Sequence, residues 1–353
     1  MLLRYVLRTR LLFLALLIST AVSQLPAQNS VTVSQDKNGV LVRTPRDQLH
    51  IAVCGPSILH ITGGVDSPKP SSAHQPWIVK SCEQGQFSLE QSDKVATLMT
   101  PDLRVKIALD SGGLAVADKA GNPLLTEGVW NPASARRYDP FGAAGDHLYR
   151  VTETFQIAED EAIYGLGQHQ SGLLNYRDIA VSLAQNNTDV AVPLLVSTRG
   201  YGLLWNTAAR SMMDNQFHRS IRWTADGTEG LDYYFLYGPE IDQIVHLYRE
   251  LTGHAPLFGE WAYGFFQSKD RYLSQDELVG IVSKYRVEHI PLDTVVQDWQ
   301  WWTKWGSSEF NAEFPDFASA VDAAATDLAA RLQTRSQRVT THWLTPATPA
   351  ASL

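Results

Sequence analysis

WAYGFFQSKDRYLSQDELVGIVSKYRVEHIPLDTVVQDWQWWTKWG, residues 261 to 306, decides the fold of the C-terminal part of the chain. WAYGFFQ (261–267) has the continuous apolar character of a buried strand. SQDELVGIVSKYRVEH (274–289) has helical spacing, and Ser274 with Glu277 at its start spells a capping box. LDTVVQDW (292–299) is a second buried strand. Strand, helix and strand of this kind make a parallel α/β unit, as at the start of a (β/α)8 barrel. In such barrels the reactive side chains sit where strands end and loops begin. Asp298 lies at that point on the second strand, and Gln267, Ser268, Lys269 and Asp270 lie there on the first.

Around Asp298 the chain gathers Trp299, Trp301, Trp302 and Trp305, four of its ten tryptophans. Sugars present C–H faces rimmed by hydroxyls. An indole offers a flat apolar face with one N–H donor, and a carboxylate accepts two hydroxyl hydrogen bonds. A carboxylate among indoles at a strand end therefore suits a pyranose. For Trp299 and Trp301, core packing and sugar contact are equally open. Trp302 and Trp305 lie on a loop beside Lys304 and are expected at the surface.

Upstream the grammar is different. SVTVSQDKNGVLVRT alternates around Lys-Asn-Gly, and RVKIALDSGGLAVAD alternates around Ser-Gly-Gly. YRVTETFQIA, AVPLLVST, YGLLWNT and LDYYFLYG follow, each bounded by turn residues. Short strands at this spacing predict an antiparallel β-sandwich. After Gly238-Pro239, the apolar positions Ile241, Ile244, Val245, Tyr248 and Leu251 trace one helical face that ends at Gly253. The domain break is placed near residue 257.

The two ends differ from the middle. Residues 1–27 have a basic start, an apolar run (LLFLALLISTAV) and small residues beyond it, the pattern of a secretory signal peptide. The run is shorter than the ~20 residues of a membrane span. The chain is thus expected to be secreted or periplasmic, with no membrane attachment after cleavage. Residues 321–353 are rich in Ala and Thr and hold no Gly, Lys, Glu, Phe, Tyr or Ile. They read as an atypical tail, either out of frame or disordered.

The net charge of −8 argues against nucleic-acid partners. No His, Cys and carboxylate spacing suggests a metal, and no cofactor is expected. Cys54 and Cys82 could pair in an oxidising compartment or remain two buried thiols.

YGLGQHQSGLLNYR (164–177), PLLVSTRGYGLLWN (193–206), YYFLYGP (233–239), LYRELTG (247–253), WAYGFFQSKDRYLSQDEL and IPLDTVVQDWQWW together resemble glycoside hydrolase family 31. That family contains α-glucosidases and α-xylosidases. The resemblance implies a galactose-mutarotase-like β-sandwich over residues 28–257, followed by the first two βα units of a (β/α)8 catalytic barrel over 258–320. It implies a partner that is an oligo- or polysaccharide with a terminal α-linked sugar. Asp298 matches the acid that binds the non-reducing sugar in subsite −1, and Phe266 and Gln267 match a first-strand position that walls the pocket. Asn187 and Asp189, in QNNTD (185–189), match a sandwich loop that reaches over the barrel mouth, although composition alone makes this an ordinary polar turn. Gln300, Trp302 and Trp305 complete the candidate contacts.

Retaining α-glycosidases need two carboxyl groups about 5–5.5 Å apart. In family 31 both are aspartates on later barrel strands, the nucleophile in a Trp-x-Asp-Met-like motif, and this sequence has no such motif. WTAD (223–226) is similar only superficially, because it falls among the sandwich strands. The expectation is therefore a secreted α-glycosidase chain that stops early in the barrel, without a catalytic pair, and is inactive. Two other readings stand beside it: a non-catalytic carbohydrate-binding sandwich, and an enzyme of another class pairing Asp298 with Glu309 or Glu277.

Overall fold

The computed structural model describes residues 31–316, apart from 68–76, 83–84, 129–134, 144, 217–218, 306 and 308. The expected signal peptide (1–27) and tail (321–353) lie outside the described residues. The chain divides into two compact units, Met1–His254 and Ala255–Leu353.

The first unit is a β-sandwich. One sheet has eight strands among the described residues, in the order Thr32–Gln35, Gly39–Arg43, Gln48–Gly55, Ile58–Gly64, Leu231–Tyr237, Tyr201–Trp205, Val190–Ser197 and Ile163–Gln168. The second runs Ala180–Leu183, Ser211–Asp214, Ser220–Thr228, Leu148–Gln156, Pro123–Glu127, Leu114–Asp118, Leu103–Ala108, Val95–Met99 and Ser88–Gln91, with Arg136–Phe141 also paired to Leu148–Gln156. The strand pairs within both sheets are antiparallel, as the alternating patterns predict.

Alternation explains how the sheets close. In Leu103–Ala108 the residues Leu103, Val105 and Ile107 are buried while Arg104 and Lys106 are exposed, so this strand has one wet face. Tyr201–Trp205 is buried at every position, so its sheet is covered on both sides. Its inner face meets the other sheet in one large apolar core, where Phe155 and Trp223 from one sheet touch Tyr233 and Trp205 from the other. WTAD lies here: Trp223 is fully buried, and its indole N–H donates to Ser211 Oγ at 3.3 Å.

The outer face of the eight-stranded sheet is covered by the helix Ile241–Thr252. The expected face included Ile241 and Val245, but both are exposed. The buried stripe is Ile244, Leu247, Tyr248 and Leu251, still at i, i+3, i+4, i+7 but rotated toward Leu247. A disulfide joins Cys54 to Cys82, and the backbone N–H of Val79 donates to Leu251 O at 2.7 Å near the helix end. The segment before Cys82 thus satisfies a carbonyl that the last turn leaves open.

In YGLGQ, Gly165 and Gly167 have φ of +93° and +97°, and a Cβ on either would overlap the carbonyl oxygens of Leu194 or Val190. They form a bulge where two strands approach too closely for side chains.

The second unit contains a parallel pair, Phe266–Lys269 with Thr294–Gln297, joined by the helix Gln275–Val287. This is the βα unit of a barrel start. The first strand is shorter and later than the apolar run 261–267 predicts, because Glu260–Tyr263 forms a 3-10 turn. Gly264 ends that turn. A Cβ there would lie 2.2 Å from the Asp293 carboxylate, which accepts from Phe265 N at 2.8 Å. Among the described residues, no helix is long and apolar enough to cross a membrane.

Candidate functional site

Strand parity determines which side chains can meet at the barrel end. Val295 packs with Leu278 and Ile281 of the helix, over Tyr272 and Phe314. Gln267 Oε1 accepts from the hydroxyl of Tyr285, on the same helix, at 2.5 Å. Lys269 Nζ donates to the helical Glu277 at 2.7 Å. Residues 267, 269 and 295 therefore face the helix. By the two-residue period, Phe266, Ser268, Thr294 and Val296 project to the opposite face, and Asp270 and Asp298 follow just beyond the strand ends. Phe266 is 44% exposed there.

The strand register pairs Lys269 with Gln297, and the bond from Trp299 N to Asp270 O (3.2 Å) continues the pairing past it. Asp270 and Asp298 thus leave adjacent strands side by side. Both are exposed, and Asp298 makes no side-chain hydrogen bond or ion pair among the described residues. Its carboxylate is free to accept.

Gln300 follows with φ +61°, in the left-handed region that non-glycine residues seldom occupy. Arg271 donates to Gln300 Oε1, and Asn311 Nδ2 donates to Gln300 O at 2.8 Å. The chain then turns back, with Trp302 and Phe310 in an antiparallel bridge and Asn311 N on Trp301 O at 2.8 Å.

The four indoles adjoin along this turn, Trp301 packing edge-on against Trp302 at 5.6 Å, but they differ in exposure. Trp301 is half-buried against the small core and lies 5.1 Å from the ring of Phe310, so packing accounts for it. Trp299, Trp302 and Trp305 form one cluster, with centroid separations of 5.0 Å (299–305), 5.7 Å (302–305) and 6.1 Å (299–302). Trp305 is 75% exposed and Trp299 40%. Exposed indole faces next to a free carboxylate are chemically suited to hydroxyl-rimmed apolar rings.

The structure brings Asp298, Gln300, Trp302 and Trp305 into one turn, with Phe266 on the strand face opposite the helix. Gln267 is not among them: it is half-buried on the helix side, held by Tyr285 and by a 3.4 Å contact to Tyr272. Sequence alone cannot tell which parity faces the helix. Asn187 and Asp189 belong to the sandwich unit, in a closed turn where Gln185 exchanges two 3.1 Å bonds with the backbone of Ala191. Asn187 is exposed, and Asp189 lies 3.9 Å from the ring of His169.

The alternative acid pairs find no support in this geometry. Glu277 is on the helix side, where hydrogen bonds from Lys269 and from the backbone of Leu273 hold its carboxyl below the ordinary value. Ser274 caps the helix by accepting from Glu277 N at 3.2 Å, but Glu277 reaches back to Leu273 rather than to Ser274, so only half of the capping box forms. Glu309 lies in the returning segment, next to the Trp302–Phe310 bridge, and contacts Thr303. Arg271, which donates to the turn, was not among the expected site residues, and its place directly after the first strand was the available signal. No cluster of three or more potential metal ligands occurs among the described residues.

A family model for the glycosyl hydrolases family 31 TIM-barrel domain matches residues 255–348. A second, for the glycosyl hydrolase 31 N-terminal galactose mutarotase-like domain, matches residues 48–214. The barrel match runs into the segment whose composition reads as atypical, so family resemblance does not stop at residue 320. An α-xylosidase of Saccharolobus solfataricus is 40% identical over 183 residues, covering 49% of this chain and 25% of that protein. An uncharacterized family 31 glucosidase of Pseudescherichia vulneris is 27% identical over 304 residues, covering 81% of this chain and 56% of that protein. Among solved structures, a family 31 α-xylosidase from a soil metagenome, complexed with xylose, superposes with a TM-score of 0.72 at 25% identity, over 85% of this chain and 46% of that one. The chain spans between a quarter and just over half of the length of these relatives.

Proposed function

Because the chain belongs to glycoside hydrolase family 31, we propose that it carries the sugar-holding part of an exported, retaining α-glycosidase specific for terminal α-xylosyl or α-glucosyl residues. The single observation that carries this reading is the exposed carboxylate of Asp298, just past the end of a parallel strand, with no side-chain hydrogen bond or ion pair among the described residues and followed by exposed indoles. The α-xylosidase relatives favour xylose as the terminal sugar. Export is supported by the Cys54–Cys82 disulfide, since such bonds persist in oxidising compartments.

The same reading makes residues 1–353 a binding chain without turnover. In this reading Asp298 takes the place of the acid that holds the sugar, and the sequence contains no Trp-x-Asp-Met-like motif for a nucleophile. Hydrolysis of aryl α-xylosides and aryl α-glucosides by mass-verified 353-residue protein tests this. No rate above the uncatalysed one is expected, because positioned acid/base groups alone contribute about 10²–10⁴-fold and covalent catalysis adds to that. Robust turnover would overturn the inactive reading and direct attention to Asp270, the carboxylate beside Asp298 in register.

A further inference from the structure

We propose that Arg271 is a positioning residue for the sugar site: it locks Gln300 in its left-handed conformation and so fixes the turn that carries Asp298 and the indole cluster. The inference rests on reading that turn as the sugar site. Gln300, two residues after Asp298 and between Trp299 and Trp301, has φ +61°. A side chain at such a φ brings Cβ against the carbonyl oxygen, so the conformation persists only where its surroundings impose it.

Those surroundings come from both sides. From the first βα loop, Asp270 O accepts from Trp299 N at 3.2 Å, and the next residue, Arg271, donates to Gln300 Oε1. From the returning segment, Asn311 Nδ2 donates to Gln300 O at 2.8 Å. Arg271 is itself seated by its neighbours. Lys269 is tied to Glu277 at 2.7 Å, and Tyr272 is buried in the small core.

The choice of partner is informative. Arg271 is flanked in sequence by Asp270, which is in register with Asp298, yet among the described residues it forms an ion pair with neither. Its guanidinium holds a neutral amide instead. This leaves Asp298 without an ion partner among the described residues and able to accept sugar hydroxyls, while the cation shapes the backbone beside it.

The test follows from glycine's freedom at positive φ. Full-length protein labelled with 5-fluorotryptophan, as wild type and as R271A, Q300G, Q300A and the double variant R271A/Q300G, is examined by ¹⁹F NMR without sugar and then titrated with D-xylose. R271A and Q300A should shift or broaden the resonances of Trp299, Trp302 and Trp305, while those of the sandwich residues Trp205 and Trp223 stay in place as a folding reference. Both should bind D-xylose about tenfold more weakly, the order expected from losing a clamp on one left-handed residue. Q300G and R271A/Q300G should keep wild-type indole resonances, and the two should bind D-xylose equally well, because glycine needs no clamp.

Unchanged indole resonances in R271A, or no recovery in the double variant, would overturn the positioning role. Should R271A not fold, the comparison of Q300A with Q300G decides, and equal losses in the two would overturn it. A wild type that does not bind D-xylose while the spectra follow the predicted pattern would leave Arg271 as a positioning residue and remove the sugar reading instead.

Discussion

Trp205 and Trp223 lie face to face across the sandwich, their ring centroids 5.2 Å apart and their planes 4° from parallel. One indole comes from each sheet, and both are almost completely buried. Tyr233 extends the stack at 6.0 Å from Trp205. Trp223→Ala should therefore lower the unfolding free energy of the sandwich unit by about 3–5 kcal/mol, through lost burial and the cavity left behind. Urea unfolding followed by far-UV circular dichroism checks this, and a loss under about 1 kcal/mol would mean that the sheets do not meet there.

A second prediction concerns charges enclosed by the same unit. Arg136 lies between Asp47, at 2.7 Å from its Nε, and Glu127, while Glu153 is fully buried with one oxygen unpartnered among the described residues. Burial pushes the Glu153 carboxyl well above the ordinary range, and the neighbouring Glu127 pushes the same way against the pull of Arg136. Glu127 also ends up raised, because burial outweighs Arg136. Tyr138 and Tyr233 are the other titratable groups facing the cluster. The folded state thus holds protons that the unfolded chain releases at the ordinary glutamate pKa, so stability falls as pH rises from that value toward the folded one. Glu153→Gln keeps the neutral shape and removes one such group. Between about pH 5 and about pH 8, the wild type should lose more stability than this variant, and equal losses in urea would contradict the assignment.

Much of the fold was legible because its code is periodic. The strand at 103–108 announces its exposed and buried sides by alternation, and the helix at 241–252 announces itself by i, i+3, i+4 spacing, although its buried stripe is rotated from the expected one toward Leu247. What stayed hidden depends on contacts distant in sequence. Gly264 breaks the run 261–267 because Asp293, far along the chain, occupies the space of its missing Cβ. Gln267 and Lys269 turn toward the helix, where Tyr285 and Glu277 hold them, and the sequence of so short a strand carries no mark of which parity is which. The buried Glu127, Arg136 and Glu153 have no local signature, since they lie on three different strands that only the fold brings together. The pairing of Cys54 with Cys82, left open by the sequence, joins a strand of the eight-stranded sheet to the segment that reaches the end of the covering helix.

That disulfide supplies a third prediction. It closes a loop with a sequence separation of 28 residues. Constraining the unfolded chain over such a loop contributes roughly 3–4 kcal/mol in the chain-entropy account. The variant with both Cys54→Ala and Cys82→Ala should be less stable by about that amount, and reductant should lower the urea midpoint of the wild type but not of the variant. A reductant-insensitive wild type would contradict the pairing.

Limited proteolysis distinguishes the two units. The sandwich has its own large core and disulfide, whereas the second unit buries three residues, Tyr272, Leu278 and Phe314, in the cluster beneath its helix. Among the described residues its parallel pair has no third strand, and Leu257, Phe258, Tyr263 and Phe265 are exposed. Unpaired strand edges beside apolar surface are poorly protected. Thermolysin should leave a resistant core of about residues 30–255 and digest the remainder quickly. Equal resistance of both units would show that the second is covered in solution.

Calorimetric titration of D-xylose into the wild type and Asp298→Asn tests the central claim most directly. Hydrogen bonds to a charged group are worth about 1.5–3 kcal/mol, so the variant should bind on the order of ten- to a hundredfold more weakly with an unchanged thermal midpoint. A wild type that does not bind, or an Asp298→Asn variant that binds equally well, would contradict the assignment of Asp298 as the carboxylate that holds the sugar.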